Sequence, residues 1–274
     1  MSTTAAAAGE AFDPAPEKED TLVGWVIFFS GVTGFLASSY FFVVMWRSAS
    51  ADSPGQLPAI PVLFCIEAAK CTILSALAAW AGKRGATRAG LDEPIARALV
   101  RGKPGAALRL LLGVLPGALA VGVAVCALDV GLWRIIAGEP LRATFAAVTH
   151  SVASPLVRAT EVFYAGLGIE LWFRWGITCP VASAAVRRGA TPDRAFWRGS
   201  VAAAIAYGIF ALPTSIGAPP FVHSVVRFGS AGFVTSACAS IAYGLLMRRR
   251  GLAAAAIAHG VTAFVRVVVC PAFF

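Results

Sequence analysis

The chain has 274 residues, 58% of them hydrophobic and 14% charged, with a mean hydropathy of +0.76. That balance excludes an ordinary soluble domain and points to a polytopic membrane protein. The formal net charge of +9 does not point to nucleic acid, because the basic residues are distributed loop by loop and not gathered on one segment.

The first twenty residues, MSTTAAAAGEAFDPAPEKED (Met1–Asp20), are acidic and contain Ala and Pro, which predicts a disordered tail. Their acidity argues against an Arg-rich organelle-targeting segment. Thr21–Met45 is longer than the roughly 7 to 15 apolar residues of a cleavable signal, so it reads as a retained first span. Further apolar runs follow at Pro58–Ala81, Leu110–Trp133, Pro155–Ile177, Gly199–Leu212, Val225–Met247 and Leu252–Val269. Most approach the roughly 20 residues that cross about 30 Å of hydrocarbon, the fifth being short. Residues 21–274 are therefore expected to form a single all-α membrane domain, an integral, multi-pass bundle of about seven transmembrane helices.

Charge alternates between the connections. Seven Lys and Arg lie from Lys83 to Arg109, five from Arg174 to Arg198 and three at Arg248–Arg250, while the intervening connections hold only Arg47, then Arg134 and Arg142, then Arg227. This pattern predicts the N-terminus inside and the C-terminus outside. The six cysteines show no CxxC spacing and HExxH is absent, so neither a metal site nor a cofactor is expected. The chain offers membrane lipid as its surroundings, and no nucleic acid as a partner.

Several polar groups interrupt the spans. Glu67 and Lys70 in the second are three residues apart, a self-neutralising pair on one helix face. Gly113 and Gly117 in the third form a GxxxG spacing, read as a close helix-packing surface. Asp129, near the end of that run, is expected to reach the membrane interface. The fourth run carries Arg158, Glu161, Glu170 and Arg174. At about 100° per residue the two glutamates, nine residues apart, face opposite ways on a straight α-helix. Such a helix has polar groups on two sides and is expected at the centre of the bundle. Counting along the helices from Arg187 and Arg250 sets Glu170 at about 25 Å depth and His259 at about 13 Å. His150 and His223 fall in outer-side segments.

Taken in order, IELWFRWGI (Ile169–Ile177), YGIFALPTS (Tyr207–Ser215) and GLAAAAIAHGVTAF (Gly251–Phe264) resemble the CPBP family, the CAAX-prenyl-endopeptidase-like and bacteriocin-processing-like intramembrane proteases. That family carries E-E-x-x-x-R, F-x-x-x-H and H-x-x-x-N on successive membrane helices, and the resemblance covers about residues 155–266. It implies that Glu170 and Arg174 stand for the second Glu and the Arg, Phe210 for the aromatic, and His259 for the second His. Ile169, Thr214 and Ala263 stand where the family has its first Glu, first His and Asn.

In the family, as the resemblance implies, the first Glu and first His activate water, and the second His and Asn stabilise the oxyanion. Losing a general base costs roughly 10²- to 10⁴-fold in rate and losing an oxyanion donor roughly 10²- to 10³-fold. The expected function is a divergent member with its peptidase chemistry impaired or lost, whose membrane cavity receives a membrane-tethered peptide or a partner helix. Its site residues would be Glu170, Arg174, Thr214 and His259. Two alternatives stand beside it: an active intramembrane peptidase using Glu170 and His259 in altered roles, and a nucleotide-sugar-like small-molecule transporter built on Glu67 and Lys70.

Overall fold

The computed structural model describes residues 17–49, 60–137, 160–216 and 222–269. The described chain is helical throughout. We number α1 Glu17–Ala49, α2 Ile60–Ala89, α3 Pro94–Val100 and α4 Pro104–Ala137. A continuous helical segment, α5, spans residues 160–187. Then come α6 Pro192–Ile216, α7 Val222–Arg250 and α8 Leu252–Phe264, the last extended by a π-helical turn, Val265–Val269. Helices are what an apolar chain must form in lipid, where every backbone N–H needs a partner within its own segment.

Within the described residues, all seven apolar runs are helical. Among the described residues, four stretches are long and apolar enough to cross a bilayer: Glu19–Leu36, Pro61–Ala89, Pro104–Leu132 and Gly229–Arg250. Leu252–Phe264 is apolar but shorter. α5 carries three charged residues in its apolar stretch, Glu161, Glu170 and Arg174.

The helices pack as membrane helices do. Small residues fill the interfaces, with Ala182, Ala195, Ala203, Ala254, Ala255 and Ala258 all fully or nearly fully buried, while Trp25, Phe29, Ile73, Leu77 and Leu112 point outward. Without a hydrophobic force between helices, such close approach supplies the contact energy. α5 is central: it packs against α1, α2, α6 and α8 and reaches α7 through a hydrogen bond from Arg174 to Ser240.

The arginine-rich turns gather at one end. The N-terminus of α1 is clasped there by α3, with Arg97 on Glu19 (2.9 Å), Asp20 (3.1 Å) and Asp92 (2.8 Å), and Arg101 on Glu19 (2.8 Å). Lys83 donates to Thr21 at 2.6 Å. Helix α1 thus starts at Glu17, four residues inside the acidic segment read as a tail; residues 1–16 are outside the described chain. Acidic side chains at a helix start also meet the positive end of its dipole.

The turn from α7 to α8 is unusual. Gly251 adopts φ +90°, a conformation that L side chains resist, and is itself buried. The backbone N–H of Ala253, at the start of α8, donates to Glu93 Oε2 at 2.9 Å. A carboxylate from the α2–α3 connection therefore caps α8 in place of a local side chain.

The GxxxG expectation is corrected. A Cβ on Gly113 or Gly117 would meet nothing within 4 Å, so that face packs against no described helix. α4 instead approaches α8 at Gly122, where a Cβ would lie 2.5 Å from the carbonyl oxygen of Ala258.

Candidate functional site

The site begins with the winding of α5. Tyr164–Ile169 and Leu171–Thr178 are π-helical, and Cys179–Arg187 returns to α-helix. An i→i+5 turn takes on the order of one residue more than the 3.6 of an α-helix, so nine residues make about two whole turns. The expectation that Glu161 and Glu170 face opposite ways therefore fails. Both turn to the last helix: Glu161 pairs with Arg266 at 2.9 Å and Glu170 with His259 at 2.8 Å. Arg158 is outside the described residues.

Glycines let α5 and α8 come close enough for this. A Cβ on Gly166 would lie 2.7 Å from the carbonyl oxygen of Ala256, and Gly260 faces Gly166 across the crossing. The depth mismatch counted from the sequence disappears, since the side chains of Glu170 and His259 meet at 2.8 Å.

Glu170 and Arg174 are fully buried and His259 is 6% exposed. Glu170 Oε1 lies 2.8 Å from His259 Nδ1, and Oε2 lies 3.2 Å from Arg174 Nε as an ion pair. That second contact is not aligned as a hydrogen bond, and Arg174 Nη2 has no described partner. Arg174 Nη1 donates to Ser240 Oγ at 2.7 Å. A carboxylate only accepts, so Nδ1 carries the proton that faces it. In the neutral ring Nε2 is then an acceptor, and it receives the Tyr207 hydroxyl at 3.2 Å.

Tyr243 stacks on His259, with ring centroids 4.6 Å apart at 21°. Its hydroxyl donates to Thr262 at 2.6 Å, and Thr262 lies 2.8 Å from the carbonyl oxygen of Gly122. Side chains of α5, α6, α7 and α8 are thus joined in one buried polar network, with α4 attached through its backbone.

Ile169 is buried beside Phe173, Ala203 and Tyr207, and Ala263 is 5% exposed. Phe210 packs edge-on against Trp172 and Phe173, at 6.2 and 5.5 Å. Thr214 lies on α6, but its side chain is outside the described residues, as is that of His223; His150 is not described at all. Among the described residues no three His, Cys, Asp or Glu side chains stand together as metal ligands.

A second ionic cluster sits toward the opposite end of the bundle from the arginine-rich turns. Arg266 reaches Glu161 and, at 3.7 Å, Asp129. Asp129 therefore pairs with the last helix instead of extending to the interface alone. Glu67 and Lys70 form their expected pair, with the Lys70 side chain half-exposed on α2. At the arginine-rich end, burial pushes the Glu93 carboxyl up to about 7, partly offset by hydrogen bonds from the backbone of Ala253, Ile95, Leu252 and Ala96.

Tyr207, Ser240, Tyr243 and Thr262 escaped the sequence reading. The available signal was the tyrosines: each occurs as Ala-Tyr-Gly in an apolar helix, and a buried tyrosine hydroxyl demands a partner. Two grooves that open on the described surface lie elsewhere, one beside α1 and one beside α4. Comparison with family models, with curated proteins and with solved structures finds no match to this chain.

Proposed function

We propose that this chain is a multi-pass membrane protein related to the intramembrane peptidases it resembles, with the hydrolytic chemistry lost and the polar residues retained as an internal lock. In this reading Glu170, Arg174 and His259 hold α5, α7 and α8 together. All seven apolar helices lie in the membrane, and the arginine-rich end and the N-terminus face inside.

One observation carries the reading: both ring nitrogens of His259 are engaged by protein, Nδ1 by Glu170 and Nε2 by Tyr207. A histidine so occupied has no lone pair left to polarise water. The neighbouring positions agree, since Ile169 and Ala263 offer no base and no donor. A membrane-tethered peptide or partner helix would meet the protein from the side, at the apolar groove of about 630 Å³ lined by Trp25, Phe29 and Leu167.

The test is cleavage of a panel of membrane-tethered reporter peptides by the full chain in proteoliposomes. No cleavage above empty vesicles is expected, with His259→Ala lowering the melting temperature alone. Cleavage by the native chain that disappears in both Glu170→Ala and His259→Ala would establish the active-peptidase alternative instead.

A further inference from the structure

We propose that the arginine-rich end holds an anionic phospholipid, with its phosphodiester on Arg109, Arg249 and Arg250 and one acyl chain along α4. This site is separate from the buried Glu170–His259 network and does not depend on the peptidase-like reading. A groove of about 550 Å³ opens there between α3, the start of α4 and the end of α7. Its apolar wall includes Ile95, Leu110 and Val114, and its basic residues are the three arginines.

The charges at this groove have no protein partner among the described residues. Among the described residues Arg109, Arg249 and Arg250 enter no ion pair, whereas nearby Arg97, Arg101 and Arg248 are all paired with carboxylates. Glu93 next to the groove is 3% exposed and turned inward to Ala253, so it does not neutralise them. Guanidinium groups match phosphate oxygens in geometry as well as charge. Basic pockets between membrane helices hold anionic head groups. The first turn of α4 adds the positive end of a helix dipole on the same side.

The second, independent observation is the open face of α4. Gly105, Arg109, Gly113 and Gly117 recur every four residues and so line one side of the helix. A Cβ on any of the three glycines would meet nothing within 4 Å. Beyond Arg109 the helix therefore presents an open strip along its outer side, running from the groove at Gly113 toward the apolar middle of α4. A lipid uses both features, the cations for its head and the strip for its chain. A soluble phosphate would use only the first.

The experiment is native mass spectrometry of the full chain in mild detergent, exposed to equal amounts of phosphatidylglycerol and phosphatidylcholine. Selective retention of phosphatidylglycerol is expected. The triple variant R109Q/R249Q/R250Q should lose that retention by on the order of tenfold to a hundredfold, from the usual contribution of basic residues at anionic membrane surfaces. The charge-matched variant R187Q/R188Q/R194Q should change it by no more than about twofold on the same reasoning. Gly113→Leu, which fills the strip and leaves the charge alone, should also reduce retention without lowering the melting temperature.

Equal loss in the two triple variants would reduce the effect to diffuse surface charge and overturn the site. Full retention in Gly113→Leu, with displacement by millimolar inorganic phosphate, would replace the lipid with a soluble anion. Absence of any lipid preference in the native chain would also overturn it. If the triple variant does not fold, the Gly113→Leu result decides.

Discussion

Glu170 and His259 are 89 residues apart in sequence and 2.8 Å apart in space, and the same carboxylate faces Arg174 across its other oxygen. Removing either side of this arrangement has unequal consequences. Glu170→Ala leaves the fully buried Arg174 guanidinium without its counter-charge, and breaking a buried ion pair in this way costs roughly 3–5 kcal/mol. His259→Ala leaves the Glu170–Arg174 pair intact and should cost less. Thermal unfolding in detergent should rank Glu170→Ala well below His259→Ala. Equal melting temperatures for Glu170→Ala and the native chain would contradict the lock.

The two arginines that pair with glutamates of α5 should behave differently. The Arg174 side chain has no exposure, whereas that of Arg266 is 44% exposed. Part exposure of the cation lessens the cost of leaving Glu161 and Asp129 without it, so Arg266→Ala should cost less than Arg174→Ala. The same melting assay, run on Arg174→Ala and Arg266→Ala, checks the order. A larger loss for Arg266 would place its cluster, not Glu170, at the structural centre.

Glycine substitutions should divide by location. Gly166→Ala places a methyl group 2.7 Å from the carbonyl oxygen of Ala256, and overpacking of this kind costs typically about 1–3 kcal/mol. Gly117→Ala enters open space and gains up to about 1 kcal/mol of helix propensity. Opposite shifts in denaturation midpoint are expected, and a neutral Gly166→Ala would mean that the α5–α8 crossing is looser than described.

Glu93 gives the fold a pH dependence of known sign. Burial raises its carboxyl from 4.5 to about 7 in the folded chain, so the native state binds the proton more tightly than the unfolded one. This contribution is fully present below about pH 4.5 and is lost as pH rises through about 7, on the order of 3 kcal/mol in total. The difference in stability between native chain and Glu93→Gln, followed from pH 4.5 to 8, should carry this slope. A flat difference would show that Glu93 titrates normally.

The helical runs were legible because lipid leaves an apolar chain few other choices, and their order placed Glu170, Arg174 and His259 on candidate helices. The facing of Glu161 and Glu170 was not legible, because a π-helical turn leaves no simple mark in composition and α-helical angles were applied to it. Gly113 and Gly117 were misread for a different reason: a GxxxG spacing records what a helix permits, and only the arrangement of neighbours tells whether another helix takes up the offer. Tyr207 lies seven residues before Thr214 on the same helix, but the family pattern has its histidine at Thr214 and says nothing of the tyrosine.

The covering of the first turn of α8 by Glu93, 160 residues earlier in the chain, bears on biosynthesis. Glu93 is synthesised long before the helix it caps, and α8, whose own N-cap Gly251 offers no side chain, gains that partner only through tertiary contact. Seating of α8 is consequently a matter of tertiary fit, its backbone lodging in the notches that Gly122 and Gly166 leave open.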